Sequence, residues 1–235
     1  MIEILKKGFS DLEIPYTDEM LCRFQRYYEL LVEWNEKMNL TAITEKEEVA
    51  LKHFIDCAVC LKHVDLKGKV IDVGTGAGFP GLVLKILKPE IEICLLDSLN
   101  KRIGFLDEVV SQLGLSGVET FHSRAEDGAQ NKNYRESFDF CVSRAVANLS
   151  TLSEYCLPFV KEGGMFVSMK GPDVKEELDN ARSAIGTLGG QVLEVEAENL
   201  PDSDINHTII KIKKVRATPT KYPRKAGKPS KEPLK

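Results

Sequence analysis

The sequence predicts an α/β fold: a Rossmann-like, doubly wound parallel sheet that ends in an antiparallel hairpin, preceded by a helical extension. From Lys69 onward, short β-branched or apolar runs at 70–73, 91–96, 118–121, 138–142 and 165–169 alternate with helical segments. That alternation is the pattern of parallel βαβ units with right-handed crossovers. The first run leads into a glycine-rich turn, Gly74-Thr75-Gly76-Ala77-Gly78, where doubly wound folds place their ligand-binding βα turn. The last two runs, 191–197 and 207–215, are joined only by the polar stretch 198–206, and so direct a connection pairs strands antiparallel.

The elements follow in order. Thr17, followed by Asp18 and Glu19, reads as a helix cap with acids in the first turn, and Leu21, Phe24, Tyr28, Leu31 and Met38 then recur at helical spacing. Tyr27, Tyr28 and Trp34 could stack bases, but an aromatic stripe on an amphipathic helix is in the main core packing. A second helix is expected over 52–63, with His53 and Asp56 on one face, where packing or a structural hydrogen bond is the favoured role. Residues 1–65 therefore read as the helical extension, 66–216 as the α/β domain and 217–235 as a basic, Pro/Lys-rich tail.

The 235 residues, 43% hydrophobic, suffice for one substantial core. No apolar run approaches the roughly 20 residues of a membrane span, and Met1 to Lys7 lacks the order of a signal peptide, so a soluble, cytoplasmic protein is expected. The six cysteines are scattered and read as reduced core thiols; Cys57-Ala58-Val59-Cys60 has no second pair, and no metal site is expected. Charge is uneven. Residues 211–235 carry ten Lys/Arg against one acid, Glu232, whereas the first 210 carry 22 bases and 35 acids. Such a tail reads as a mobile arm that gains affinity for a polyanion by releasing counterions, although a solvated tail kept soluble by its charge has the same composition.

The stretch Val70-Ile71-Asp72-Val73-Gly74-Thr75-Gly76-Ala77-Gly78-Phe79-Pro80-Gly81 is the most informative. Read from Gly76 it spells G-x-G-x-x-G with Asp97 twenty-one residues on, so motif counting alone leaves a nicotinamide dinucleotide open. Three features favour S-adenosylmethionine: an acid two positions before the first glycine, Pro80 at the expected first helical turn, and the carboxyl-terminal hairpin. Asp97 suits either ligand, because a carboxylate at the end of the second strand can accept both ribose hydroxyls.

With these residues in view the sequence resembles the RsmG (GidB) family over nearly its full length. The resemblance rests on Trp34-Asn35-Glu36-Lys37-Met38-Asn39-Leu40-Thr41, Lys52-His53-Phe54-Ile55-Asp56, the glycine loop, and Asp97-Ser98-Leu99-Asn100-Lys101-Arg102. It continues through Ser123-Arg124-Ala125-Glu126, Ser143-Arg144-Ala145 and Lys170-Gly171. One departure is Cys57, where the family more often has serine. The resemblance implies the class I S-adenosylmethionine methyltransferase fold and methylation of guanine nitrogen 7 in 16S ribosomal RNA of the small ribosomal subunit, with S-adenosylhomocysteine as product and a monomer as the acting form. Carried over by position, it implies cofactor contacts at Gly74, Phe79, Ala125, Glu126 and Arg144, with Arg144 also the positioning residue of catalysis.

The chemistry agrees with that implication. Guanine nitrogen 7 already presents a lone pair, so no proton must leave first and no general base is needed. Arg144 is always charged and serves to hold a carboxylate or phosphate, not to take a proton. Lys170 and Arg124 are candidates for RNA contact. Two other classes share parts of this sequence: a small-molecule or protein methyltransferase on the same fold, and a non-enzymatic RNA-binding factor, against which the intact glycine loop argues.

Overall fold

A computed structural model describes residues 1–144 and 147–235; Ala145, which closes one of the motifs above, lies outside the described residues. Helices α1 (Ile2–Asp11) and α2 (Asp18–Met38) open the chain. The Thr17 hydroxyl accepts the Met20 N–H at 3.3 Å, Asp18 and Glu19 lie at the positive end of α2, and left-handed Asn39 (φ +49°) ends it. The buried face carries Leu21, Phe24, Tyr27, Leu30 and Leu31. Tyr27 turns inward where the spacing favoured Tyr28, because a broad apolar stripe admits both i+3 and i+4 positions and the partners across the interface choose between them. Tyr28 sits at the edge, its hydroxyl donating to the Thr44 carbonyl at 3.2 Å.

The helix expected over 52–63 begins earlier and is not uniform. Helix α3 (Lys46–Val49) runs into a π-helical turn (Ala50–Ile55) and then α4 (Asp56–His63). Such a widened turn is frequent at functional sites, and here it carries Lys52 and His53. Cys57 and Cys60 on α4 are completely buried, and burial pushes the Cys60 thiol up to about 12. They are core thiols, as are Cys94, Cys141 and Cys156, whereas Cys22 is exposed.

The α/β body follows: β1 (Lys69–Val73), α5 (Gly81–Leu87), β2 (Glu92–Asp97), α6 (Asn100–Gln112), β3 (Val118–His122), α7 (Ala125–Gly128), β4 (Phe138–Arg144), α8 (Leu149–Cys156), β5 (Val160–Lys170), α9 (Lys175–Thr187), β6 (Gly190–Asn199) and β7 (Asn206–Lys214). The sheet order is β3-β2-β1-β4-β5-β7-β6. Strands β1 to β5 run parallel, while β7 is antiparallel to both β5 and β6, with Met169 opposite Ile209 and Val195 opposite Ile210. This is the doubly wound sheet with a terminal hairpin that the sequence predicts, and the crossover directions diverge at the β1–β4 pair, where ligands bind in such sheets.

One hydrophobic cluster joins α1, α2 and α4 to α5, α6 and one face of the sheet; a second joins α8, α9 and the other face. Phe24 and Phe54, fully buried with rings 4.9 Å apart, each contribute about 1.5–3 kcal/mol through burial. The helical extension is thus continuous with the core of the body.

The carboxyl-terminal residues differ from expectation. They are a docked strap and not a mobile arm. Arg135 donates to the carbonyls of Thr218 (2.8 Å) and Tyr222 (2.9 Å), and Gln130 to that of Pro223 (3.0 Å). Arg224 grips the fully buried Glu154 carboxylate (Nη2 to Oε2 2.7 Å, Nε to Oε1 2.9 Å), and the fully buried Lys214 ammonium donates to Thr218 Oγ1 at 2.8 Å. Thr218, Tyr222 and Pro229 are buried, and a last helical turn, α10 (Lys228–Lys231), closes the strap. Composition misled because the strap's backbone acceptors are met by side chains distant in sequence, and such pairing leaves no hydrophobic period.

Candidate active site

The site lies at the carboxyl ends of β1, β2 and β4. After Val73 the chain turns with Gly74 at φ +75° and Gly76 at φ +61°, and the N–H groups of Gly74 and Thr75 donate to the Leu96 carbonyl at 2.9 and 3.1 Å. Side chains rarely adopt that conformation, and a Cβ on Gly78 would lie 2.5 Å from both the Tyr27 hydroxyl and Leu82. Tyr27 donates to the Ala77 carbonyl and stacks on Phe79 with centroids 5.5 Å apart. The amino-terminal helices therefore hold the glycine loop directly. Beneath it, Asp72 accepts the Gly81 N–H at 2.7 Å, and burial raises its pKa to about 7. Pro80 occupies the cap position, one residue before α5 begins.

Two cavities meet at Gly74. The first, about 420 Å³, is lined by Gly74, Asp97, Arg102, Arg124, Ala125, Glu126, Tyr155, Gly227 and Ser230. Asp97 Oδ2 accepts from Gly76 N (3.0 Å) and Arg102 Nη1 (3.2 Å), and Oδ1 accepts from Leu99 N (2.9 Å). One lone-pair site remains on Oδ1 where the sequence suggested a free carboxylate; Asp97 is a latch on the loop as well as a candidate ribose acceptor. Glu126 is 6% exposed, and its Oε1 accepts the Gly227 N–H at 2.8 Å.

The second cavity, about 350 Å³, is lined by Gly74, Thr75, Gly76, Phe79 and Arg144, with Thr41, Lys52, His53, Asp56, Lys170 and His207 around them. Arg144 Nη1 donates to Asp56 Oδ2 (2.6 Å) and to the Lys52 carbonyl (3.2 Å), Nη2 lies 3.3 Å from His53 Nδ1, and the guanidinium lies 5.2 Å from the Phe79 ring centroid. His53 stacks on the same ring at 4.5 Å and meets the Thr41 hydroxyl at 2.9 Å. Burial, reinforced by the Arg144 charge, lowers the His53 pKa to about 4, so the ring is neutral near pH 7. His207 Nδ1 stands 3.1 Å from Asp56 Oδ1. Lys170 is paired with Glu177 at 2.7 Å, which leaves it less available to RNA than its sequence position suggested; Arg124 is exposed at the rim.

The predicted residues are thus brought together in two groups: Asp97, Ala125 and Glu126 around the first cavity, Phe79 and Arg144 around the second, with Gly74 common to both. Sequence reasoning missed Thr41 and His207 beside the second cavity and Tyr155, Gly227 and Ser230 beside the first. Thr41 sits in a recognisable motif, but nothing in the sequence near His207 or Gly227 marks them.

The residues fit S-adenosylmethionine. The first cavity offers acceptors for an adenosine, and the second offers a cation and, at Thr75, a buried hydroxyl with no partner among the described residues, which suits a charged amino-acid end. A family model, GidB, described as rRNA small subunit methyltransferase G, matches residues 20–206.

The chain belongs to the GidB family.

A ribosomal RNA small subunit methyltransferase G of Alkaliphilus oremlandii is 56% identical over 99% of this chain and 98% of its own length. One of Clostridium perfringens is 50% identical over the same shares. Among solved structures, M. jannaschii TYW2 in complex with AdoMet aligns with a TM-score of 0.56 at 10% identity, over 74% of this chain and 80% of that one. A precorrin-6y C5,15-methyltransferase from Geobacter metallireducens aligns with a TM-score of 0.51 at 18% identity, over 67% and 87%. These two likenesses establish the class I methyltransferase fold; the GidB relatives carry the assignment to a family of S-adenosylmethionine-dependent enzymes.

Proposed function

We propose that this GidB-family chain methylates nitrogen 7 of a guanine in 16S ribosomal RNA, acting as a cytoplasmic monomer on the small ribosomal subunit. The observation that carries the reading is the junction of two cavities at Gly74, one suited to an adenosine and the other floored by a fixed Arg144. Bound across that junction, S-adenosylmethionine supplies an electrophilic methyl group on a sulfonium. In the body formed by 66–216, Asp97, Ala125 and Glu126 hold the adenosyl end, Gly74 allows close backbone approach, and Phe79 with Arg144 bounds the methionyl end.

Arg144 positions and does not deprotonate. Its guanidinium is pinned by Asp56, the Lys52 carbonyl and His53, so it meets a carboxylate or phosphate without losing rotamer freedom at that moment. Guanine becomes cationic when its nitrogen 7 is alkylated, and the Asp56 carboxylate offsets the Arg144 charge beside it. Catalysis is then mostly orientation and exclusion of water. The exposed cations of the strap, Lys225, Lys228 and Lys231, are suited to phosphate contact. The test is incubation of small subunits, and separately of bare 16S RNA, with methyl-labelled cofactor. Label released as 7-methylguanine supports the reading, and label on another atom, or on protein, overturns it.

A further inference from the structure

We infer that the carboxyl-terminal strap is a wall of the adenosyl subsite, in which the Gly227 amide positions Glu126 for adenine and Ser230 closes the cavity. The inference rests on the cofactor reading above. The strap's Gly227 N–H donates to Glu126 Oε1 at 2.8 Å across 101 residues of sequence, and Gly227 and Ser230 line the same cavity as Asp97, Ala125 and Glu126.

The strap reaches that place by construction. Arg224 is fixed to Glu154 on α8 by its side chain and also by its backbone N–H, 2.8 Å from Oε1. Farther on, the Pro229 carbonyl accepts from the Thr151 hydroxyl on the same helix at 3.0 Å. Two anchors on one helix, five residues apart in the strap, hold the intervening segment over the cavity. Gly227 has φ +79°, the left-handed conformation that glycine adopts without strain, at the turn where its N–H meets Glu126.

A carboxylate with one oxygen engaged loses its freedom to rotate. Glu126 Oε2, which meets no donor among the described residues, is then the acceptor left for the exocyclic amine of adenine. A fixed acceptor distinguishes an amine from a carbonyl oxygen at that ring position, because the carbonyl would meet it as acceptor against acceptor. Gly227 is in this sense a positioning residue, acting through Glu126.

The test uses RNA-free protein and calorimetry with two probes, S-adenosylhomocysteine and its inosine counterpart, whose purine carries oxygen in place of the amine. The full chain is expected to prefer the adenosyl probe by about tenfold or more, the effect of one hydrogen bond to a charged acceptor. A chain ending at Lys225 keeps the Arg224 anchor and loses Gly227 and Ser230. It is expected to bind the adenosyl probe about tenfold more weakly, with the preference falling to about twofold. Should the shortened chain lose its circular dichroism, Ser230→Trp in the full-length chain decides the matter, with weakened binding of both probes expected and an unchanged melting temperature without ligand. Full-length affinity in Ser230→Trp, or full-length affinity and preference in a folded shortened chain, overturns the inference while leaving the cofactor reading intact. Failure of the full chain itself to bind S-adenosylhomocysteine overturns both.

Discussion

The helices before the sheet and the strap after it both lie against the α/β body, yet they are held by unlike means. Helices α1 and α2, the π-helical turn and α4 dock through apolar side chains: Leu5, Phe9, Phe24, Tyr27, Phe54 and Val59 are withdrawn from water and share one cluster with α5 and α6. The strap buries Tyr222 in the second cluster, but most of its contacts are polar pairs. Its fixed points are Arg224 on Glu154, Arg135 on strap carbonyls, and Lys214 on Thr218. Apolar docking is non-directional and tolerates small shifts, whereas a buried ion pair holds one geometry and penalises every other. The first attachment suits a support for the glycine loop, and the second suits a segment that must place a single amide within hydrogen-bond reach of Glu126.

The comparison can be broken most forcefully at Phe54. Phe54→Ala empties a site at the centre of the apolar attachment and is expected to cost about 3–5 kcal/mol, read as a fall of roughly 2–4 °C in melting temperature per kcal/mol. A loss below about 1 kcal/mol would mean that the helical layer is not part of the cooperative core.

Arg224→Ala comes next. It leaves Glu154, whose side chain is fully buried, without its partner, at an expected cost of about 3 kcal/mol. The paired change Glu154→Leu with Arg224→Met should restore most of that stability while leaving the strap less well placed. If denaturant melts show the pair to be as unstable as the single variant, the strap is not held by this ion pair.

His53 sharpens the contrast by pH. Its folded pKa of about 4 lies below the ordinary 6.5, so the folded state binds the proton less tightly than the unfolded chain. Its contribution is whole above pH 6.5 and drains as pH falls towards about 4, by about 3 kcal/mol at most. His53→Gln should flatten that part of the stability profile. An unchanged slope between pH 6.5 and 4 would assign the acid sensitivity elsewhere. The smallest effect is expected at Asp97, which belongs to neither attachment. Asp97→Ala should weaken S-adenosylhomocysteine binding by about 1.5–3 kcal/mol, with a smaller loss of stability than Phe54→Ala. Calorimetry showing unchanged affinity would remove Asp97 from the ribose site and leave it only the loop.

Much of this was legible in the sequence because it is carried by local pattern. Strand–helix alternation, the glycine turn after β1 and the helix-free link between β6 and β7 each express a rule that acts within about 30 residues. Arg144 and Glu126 were reachable through motifs that resemble a family's. The choice of Tyr27 over Tyr28 was not legible, because both lie within the apolar stripe and the choice is made by Phe79 and Phe54 across the interface. His207 reaches Asp56 only because β7 inserts beside β5, so its place depends on a register that no local spacing encodes. The strap was misread for a related reason: its composition is that of a disordered tail, and the partners that order it are Glu154, Arg135 and Gln130.

The sheet order also bears on how the protein is made. Strand β7 comes after the six other described strands in sequence, yet it is an interior strand, inserted between β5 and β6. Until residues 206–214 have been made, the long strand β5, which carries the apolar Phe166, Val167 and Met169, has an unpaired edge. An exposed edge of that kind recruits strands from other chains. Fragments ending before Asn206 are therefore expected to aggregate and not to persist as shorter enzymes, and that outcome can be read in the soluble fraction of a truncation series.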